Sequence, residues 1–296
     1  MAPRIAFIGF GEAGQAMAAG LRDEGVADIS AYDILFPQDS GAPLREAATG
    51  VGVKIAANAA DAVRDSEIVI AAVTAESSED AARSVAGHMQ RDAFYLDVNS
   101  VSPGRKQGNA ALIGAGANYL DVAIVAAIHP ARHKSPMLLA GPHAPEAGKL
   151  LSTLGMNTQI VGDDIGAAAA IKMIRSVMIK GIEALTAECF IAATRAGVVQ
   201  AVASSLRNNY PGVDWDKMSE YNVERMVSHG IRRAAEMREV AATLRELGVA
   251  PRMTEGTIAR QQALGECGRA PELKAAIAEG REALLAAVSD AAGRES

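Results

Sequence analysis

The sequence predicts an α/β fold in which a doubly wound parallel sheet is followed by an all-α C-terminal domain. In the first half of the chain, short apolar runs alternate with helix-like stretches, a pattern typical of strand–helix–strand units. In the second half, apolar residues recur every three or four positions over long stretches without strand-like alternation. We therefore predict two domains, at residues 1–163 and 164–296, with the boundary near Gly162-Asp163-Asp164.

Seven strands are predicted from short apolar runs bounded by turn residues. They lie at Arg4–Ile8, Asp28–Tyr32, Ile68–Val73, Ala93–Val98, Tyr119–Val125, Met137–Ala140 and Thr158–Val161. The helix-like segments between them include Glu12–Glu24, Glu79–His88, Gly108–Ile113 and Pro145–Leu154.

The C-terminal half is predicted to be helical throughout. No proline occurs from Gly166 to Tyr210, and apolar residues there follow the spacing of one helical face. These residues are Ile171, Ile174, Met178, Ile182, Leu185 and Cys189. Further long helices are predicted at Val223–Leu247 and Glu272–Ala287.

Composition excludes several classes of protein. Hydrophobic residues make up 49% of the chain, which suffices for a folded core. The formal charge of -6 and the absence of basic runs argue against binding to nucleic acid or to an anionic membrane. Two cysteines, Cys189 and Cys267, are too few for a disulfide framework or a metal cluster. Without a signal-peptide pattern or a spanning apolar run, we expect a globular cytoplasmic protein.

A glycine-rich loop follows the first predicted strand with the pattern Gly-x-Gly-x-x-Gly. Gly9 permits a tight turn, Gly11 allows a pyrophosphate to approach the backbone, and Gly14 allows close packing of helix on strand. Backbone N–H groups at the start of the following helix, including those of Glu12 and Ala13, favour a bound phosphate. The loop therefore predicts a Rossmann-type dinucleotide-binding domain, although a purely structural glycine turn is the alternative.

Asp33 ends the second predicted strand, about twenty residues after Gly14. An acid at this place accepts hydrogen bonds from the ribose hydroxyls of the adenosine half. Because no arginine stands there to hold a 2′-phosphate, we expect NAD as cofactor, with NADP less favoured. The alternative is an ordinary turn acid after a strand.

Four further segments, taken in order, resemble the β-hydroxyacid dehydrogenase family, which includes 3-hydroxyisobutyrate and 6-phosphogluconate dehydrogenases. They are Val73-Thr74, Asp97-Val98-Asn99-Ser100-Val101-Ser102-Pro103, Asp121-Val122-Ala123-Ile124-Val125-Ala126-Ala127, and Gly166 followed by Lys172. The resemblance implies that Val73 and Thr74 line the adenosine half of the cofactor site. It also implies that Asn99 and Ser100 belong to the substrate loop, with Asn99 beside the cofactor, and that Lys172 is the catalytic acid/base.

The chain also departs from the family pattern. Val125-Ala126-Ala127 replaces a Ser-Gly-Gly turn that holds the substrate carboxylate, and Arg175 and Ser176 replace two asparagines after the lysine. Helical spacing puts Lys172, Arg175 and Ser176 on one face, so Arg175 and Ser176 are candidate substrate-binding residues. The alternative is that Lys172 and Arg175 extend to solvent and pair with nearby acids.

The segment from His229 to Met237 resembles a less-studied branch of the family, known only as phosphogluconate-dehydrogenase-like, with its own helical C-terminal domain. The expected function is an NAD-dependent dehydrogenase that oxidises a hydroxy acid or related alcohol by hydride transfer. Two alternatives remain: oxidative decarboxylation of the 6-phosphogluconate type, and a regulatory protein that binds a dinucleotide without turnover. We expect a small-molecule substrate, a homodimer by analogy with similar two-domain proteins, and no metal, since prolines interrupt the spacing of His129 and His133.

Overall fold

An eight-stranded sheet forms the centre of the first of two compact units, Met1–Lys172 and Met173–Ser296, in a computed structural model that describes residues 2–292. The strand order is β3-β2-β1-β4-β5-β6-β7-β8. Strands β1 to β6 are parallel, whereas β7 runs antiparallel to β6 and β8 runs parallel to β7. The strands are β1 (Ile5–Ile8), β2 (Ile29–Tyr32), β3 (Lys54–Ile55), β4 (Ile68–Ala71), β5 (Phe94–Asp97), β6 (Asn118–Ile124), β7 (Met137–Ala140) and β8 (Thr158–Gly162).

Helices cover both faces of this sheet, so that both faces are buried. Consecutive residues of β1 point to opposite faces: Phe7 belongs to the core on one face and Ile8 to the core on the other. The helices are α1 (Glu12–Asp23), α2 (Ala42–Gly50), α3 (Ala59–Val63), α4 (Ser78–Val85), α5 (Pro103–Ile113) and α6 (Ala144–Thr153). The predicted doubly wound α/β fold is confirmed.

The second unit is entirely helical, as predicted. Helix α7 (Ala167–Arg195) begins in the first unit, and α8 (Val199–Asn209), α9 (Trp215–Glu246), α10 (Arg252–Cys267), α11 (Pro271–Glu279) and α12 (Arg281–Ala292) follow. Helices α9 and α10 pack with their backbones in contact, because a Cβ added to Gly230 would lie 2.8 Å from the Cα of Gly265. No helix among residues 2–292 combines the length and apolarity needed to cross a bilayer.

Several predicted elements needed correction. Strand β3 was not predicted, because it has only two residues and no apolar run of its own. The helix predicted at Gly108–Ile113 begins earlier, at Pro103, where the Ser102 hydroxyl accepts a hydrogen bond from the Arg105 N–H. The single helix predicted at Glu272–Ala287 is two helices, since Gly280 adopts a positive φ of 96° between them.

Candidate functional site

The glycine loop lies at the carboxyl edge of the sheet where the strand order reverses. Strands β1 and β4 are neighbours there, and crevices at such a reversal are where doubly wound sheets bind ligands. Gly9 follows β1 with a φ of 88°, and a Cβ on it would lie 2.7 Å from Cγ1 of Val73, which follows β4. At Gly9 the backbone therefore approaches the end of the neighbouring strand β4 more closely than a residue with a Cβ atom would allow.

The loop leaves room for a phosphate beside the start of α1. A Cβ added to Gly14 would lie 2.7 Å from the Gly9 carbonyl oxygen, whereas one added to Gly11 meets nothing within 4 Å. Gly11 is the N-cap of α1, and its end of the helix has no side-chain cap. The first N–H groups of a helix lack partners within it, so the N–H groups around Glu12 and Ala13 suit a pyrophosphate. The residues present thus fit a dinucleotide.

Asp33 lies beside the glycine loop and accepts a hydrogen bond from it. Its Oδ2 accepts a hydrogen bond of 2.7 Å from the N–H of Phe10, and its Oδ1 accepts one of 2.9 Å from the N–H of Leu35. A carboxylate has about four acceptor positions, so these two bonds leave acceptors for ribose hydroxyls. The bond from Phe10 also holds the loop between Gly9 and Gly11 in place.

Asn99 links the end of β5 to the end of β4. Its Oδ1 accepts a hydrogen bond of 2.7 Å from the N–H of Val73, which determines how the amide is oriented. Its Nδ2 is buried and has no partner within the described part of the chain. A buried donor without a partner is costly, so this group suits a ligand acceptor in the crevice. Thr74 is exposed, and its hydroxyl donates to Ser77 at 3.1 Å.

Ser100 and Lys172 meet at the same edge of the first unit. The Lys172 Nζ donates a hydrogen bond of 2.6 Å to the Ser100 Oγ, and both side chains are half-buried. Ser100 comes from the turn after β5, whereas Lys172 comes from the second turn of α7. An amine and a hydroxyl in contact can hold and pass a proton, which is what an acid/base pair in a redox site requires.

Arg175 and Ser176 follow on α7 but belong to the second unit. Arg175 is exposed, and Ser176 is buried with its hydroxyl 3.4 Å from the Nζ of Lys180. Lys180 in turn forms an ion pair of 3.1 Å with Glu236 on α9. Neither Lys180 nor Glu236 was predicted, and only their positions on helical faces could have signalled the pair.

A cluster of buried charged side chains, which the sequence did not reveal, lies beneath Ser100 and Lys172 in the first unit. Lys106 on α5 lies fully buried between Asp97 and Asp121. Asp97 also accepts hydrogen bonds from Asn109 at 3.0 Å and from the Tyr119 hydroxyl at 2.7 Å. Burial, followed by the charge of Asp97, raises the pKa of Tyr119 well above its usual value, so the hydroxyl stays a donor. Both aspartates occur in the motifs described above, but nothing in the sequence connects Lys106 to them.

The two spaced histidines, His129 and His133, lie in different environments. His129 is exposed, whereas His133 is buried against Gly20 of α1, where an added Cβ would collide with its ring. Burial lowers the pKa of His133 below its ordinary value. In the part of the chain that the structure describes, no group of three or more His, Cys, Asp or Glu side chains is arranged to hold a metal ion.

Two family models match parts of the chain. Residues 4–100 match NADP oxidoreductase, coenzyme F420-dependent, and residues 193–264 match a domain of unknown function, DUF1932. An uncharacterized 28.5 kDa protein of Methanothermus fervidus is 27% identical over 264 residues, which are 89% of this chain and all of that protein.

Solved structures extend the comparison over nearly the whole chain. A conserved hypothetical protein from Sinorhizobium meliloti is 34% identical with a TM-score of 0.80, covering 98% of this chain and 97% of that one. The conserved protein MTH1747 is 30% identical with a TM-score of 0.72, covering 90% and 98%, and its structure is described as similar to 3-hydroxyacid dehydrogenases. Mycobacterium tuberculosis 3-hydroxyisobutyrate dehydrogenase shares the fold at 17% identity and a TM-score of 0.70, covering 96% and 98%.

These similarities support a nicotinamide-dinucleotide-dependent oxidoreductase of the dehydrogenase type. They also agree with the resemblance found in the sequence, both in the dinucleotide-binding half and in the separate helical C-terminal region. The chain belongs to the β-hydroxyacid dehydrogenase-like family, in the branch whose helical C-terminal region carries the DUF1932 domain.

Proposed function

We propose that this protein is an NAD-dependent dehydrogenase that oxidises a hydroxy acid or a related alcohol, with Lys172 as the acid/base. The observation that carries the proposal is the 2.6 Å contact between Lys172 Nζ and Ser100 Oγ, at the sheet edge that also bears the glycine loop. A regulatory protein that only binds a dinucleotide has no use for such a pair. The contact therefore favours catalysis over sensing.

Each residue has a defined task in this reaction. The nicotinamide, when bound, supplies the acceptor for the hydride. Lys172 takes the proton from the substrate hydroxyl, while Ser100 orients the lysine amine and shares a hydrogen bond with the reacting oxygen. The unpartnered Nδ2 of Asn99 donates to the cofactor or to the substrate oxygen. Arg175 and Ser176 are proposed to bind the substrate's acidic group, in place of the missing Ser-Gly-Gly turn.

The test is NADH formation at alkaline pH across 3-hydroxy acids, 2-hydroxy acids, sugar acids and their phosphates. Lys172→Ala is expected to lower turnover by at least about 100-fold, since a positioned general base contributes about that much, while NAD still binds. Lys149→Ala on α6, which removes an exposed lysine, is the matched control and should keep wild-type activity. Undiminished turnover in Lys172→Ala would overturn the assignment.

The substrate panel also separates the remaining alternatives. Release of carbon dioxide together with NADH from a phosphorylated sugar acid would indicate oxidative decarboxylation. Binding of NAD without turnover of any compound would favour the regulatory alternative.

The preference for NAD over NADP rests on Asp33. Its carboxylate lies beside the glycine loop, where it would repel a 2′-phosphate. Asp33→Asn is expected to lower the ratio of kcat/KM for NAD to that for NADP by about tenfold, equivalent to about 1.4 kcal/mol. Asp28→Asn, which changes an exposed acid just before β2, should leave the ratio unchanged. An unaltered ratio in Asp33→Asn would remove the basis for this preference.

We further propose that the helical domain, residues 164–296, contributes substrate binding and dimer formation. Ile174, Met178 and Leu185, on the predicted apolar face of α7, are 47%, 63% and 59% exposed. Such an apolar stripe favours cover by a second copy of the chain. Met178→Glu should convert a dimer to a monomer in light scattering, whereas an unchanged mass would exclude this face.

A further inference from the structure

Lys106 contacts both segments that carry the proposed reacting pair. Its side chain is 1% exposed, and its Nζ lies 3.0 Å from Asp97 Oδ1 and 3.5 Å from Asp121 Oδ1. The first distance is a hydrogen bond, and the second is an ion-pair contact that is long for a hydrogen bond. A buried ammonium is stable only when it is paired, and both carboxylates are fully buried as well. The three charges therefore depend on one another.

Asp97 connects Lys106 to the turn that bears Ser100. Its Oδ1 accepts a hydrogen bond of 3.0 Å from the N–H of Asn99, in addition to the bond from Lys106. Its Oδ2 is occupied by Asn109 and Tyr119. Because every direction of this carboxylate is held, it fixes the backbone immediately before Ser100.

Asp121 connects Lys106 to the helix that bears Lys172. Its Oδ2 accepts hydrogen bonds of 3.1 Å from the N–H of Gly166 and 3.0 Å from that of Ala169, at the start of α7. N–H groups at a helix start lack partners within the helix, and a negative charge there is favourable. Asp121 thus fixes the first turn of α7, directly before the turn that contains Lys172.

We propose that Lys106 is a positioning residue, which holds Ser100 and Lys172 at reacting distance by joining Asp97 to Asp121. The inference rests on the proposed function of Ser100 and Lys172. Lys106 is too deeply buried to touch substrate itself, so its effect passes through the two carboxylates. The competing explanation is that Lys106 only compensates buried negative charge.

A pair of variants separates these explanations. Lys106→Met leaves two buried carboxylates without a cation, whereas Lys106→Met with Asp121→Asn returns the cluster to its wild-type net charge of one negative. The amide that Asp121→Asn introduces carries no charge, yet its carbonyl oxygen still accepts hydrogen bonds from the N–H groups of α7. If charge compensation is the whole role, the double variant regains both Tm and kcat.

Positioning predicts a different result for the double variant. Its Tm recovers, but its kcat stays about 10- to 100-fold below wild type, because a small misplacement of reacting groups is costly. The KM for NAD and the Kd for NAD change less than twofold, since the glycine loop lies outside the cluster. Recovery of kcat together with Tm would overturn the proposal, and the double variant carries the test even where Lys106→Met does not fold.

Tyr119→Phe is the matched control. It removes one hydrogen bond from Asp97 Oδ2 but leaves the bridge from Asp97 to Asp121 intact. We expect a Tm lower by about 3 °C and a kcat within twofold of wild type. A kcat as low as that of the double variant would show that any damage to the cluster suffices, which contradicts a specific bridging role.

Crystal structures of the wild type and the double variant give a readout independent of turnover. The Ser100 Oγ to Lys172 Nζ distance, 2.6 Å in the wild type, should increase beyond about 3.5 Å, the limit of a hydrogen bond. An unchanged distance would overturn the positioning role whatever the activity. A longer distance in a protein whose wild type has no turnover would refute the proposed function while keeping the positioning role.

Discussion

Both units bury a charged cluster, but the two clusters differ in what they touch. In the sheet unit, Lys106 joins two carboxylates that hold the segments before Ser100 and Lys172. In the helical unit, Glu183 on α7 accepts hydrogen bonds from Arg233 on α9 and Gln261 on α10.

Each cluster leaves two buried polar atoms without a hydrogen-bond partner among the described residues. These atoms are Arg233 Nε and Gln261 Oε1 in the helical unit, and Asn109 Oδ1 and Asp121 Oδ1 in the sheet unit. The two clusters therefore differ in what they hold in place. The carboxylates of the sheet cluster hold backbone N–H groups before Ser100 and Lys172, whereas the side chains of the helical cluster join three helices to one another.

The largest expected effect comes from breaking the helical cluster. Arg233→Met leaves Glu183 buried without its cation and should lower the free energy of unfolding by about 3–5 kcal/mol. Activity per folded molecule should stay within twofold of wild type, in contrast to Lys106→Met with Asp121→Asn. Urea unfolding and kcat measurements on the same preparation check both statements. Adding Glu183→Gln should restore most of the stability, and a fall in kcat that persists after this restoration would contradict the comparison.

Substitutions at two glycines of the sheet unit should affect stability and NAD affinity differently. Gly14→Ala places a methyl group 2.7 Å from the Gly9 carbonyl oxygen and should cost about 1–3 kcal/mol of stability as well as NAD affinity. Gly11→Ala meets open space, and its φ of -70° suits alanine, so stability should hold while NAD affinity falls at least about tenfold. Calorimetric NAD titration and thermal unfolding measure both. Equal NAD affinity in Gly11→Ala and wild type would argue against a phosphate at this loop.

The smallest expected effect concerns a buried titratable group that belongs to neither cluster. Because burial lowers the pKa of His133, protonation favours the unfolded chain, and stability is lost as the pH falls below the unfolded pKa of about 6.5. Urea unfolding between pH 7.5 and about 5.5 should show this decline in the wild type. His133→Gln should show a shallower decline, and identical slopes would contradict the prediction.

Sequence reasoning reached those parts of the site that depend on local spacing. Gly9, Gly11 and Gly14 could be interpreted directly, because a strand, a turn and a helix start follow one another along the chain. The contact between Ser100 and Lys172 was implied only by family resemblance, since these residues lie 72 positions apart. Lys106 gave no signal, because its partners depend on how α5 packs beneath β5 and β6.

The exposed apolar stripe on α7 is a second feature that local spacing did not reveal. Periodicity correctly indicated a helix with an apolar face, but spacing alone does not say what covers that face. Met178 lies on the predicted apolar face, yet it is 63% exposed in this chain. The burial of a side chain depends on which elements pack against it, and the periodicity of one helix does not specify those elements.

The sequence by itself determined the α/β order, the glycine loop and the helical second half, because these follow from residue types at short, fixed intervals. Only the tertiary structure decided that Asp33 holds the glycine loop, that Ser100 meets Lys172, and that Lys106 bridges Asp97 and Asp121. The physical reason is that hydrogen bonds and ion pairs form between side chains that folding brings together, whatever their separation along the chain.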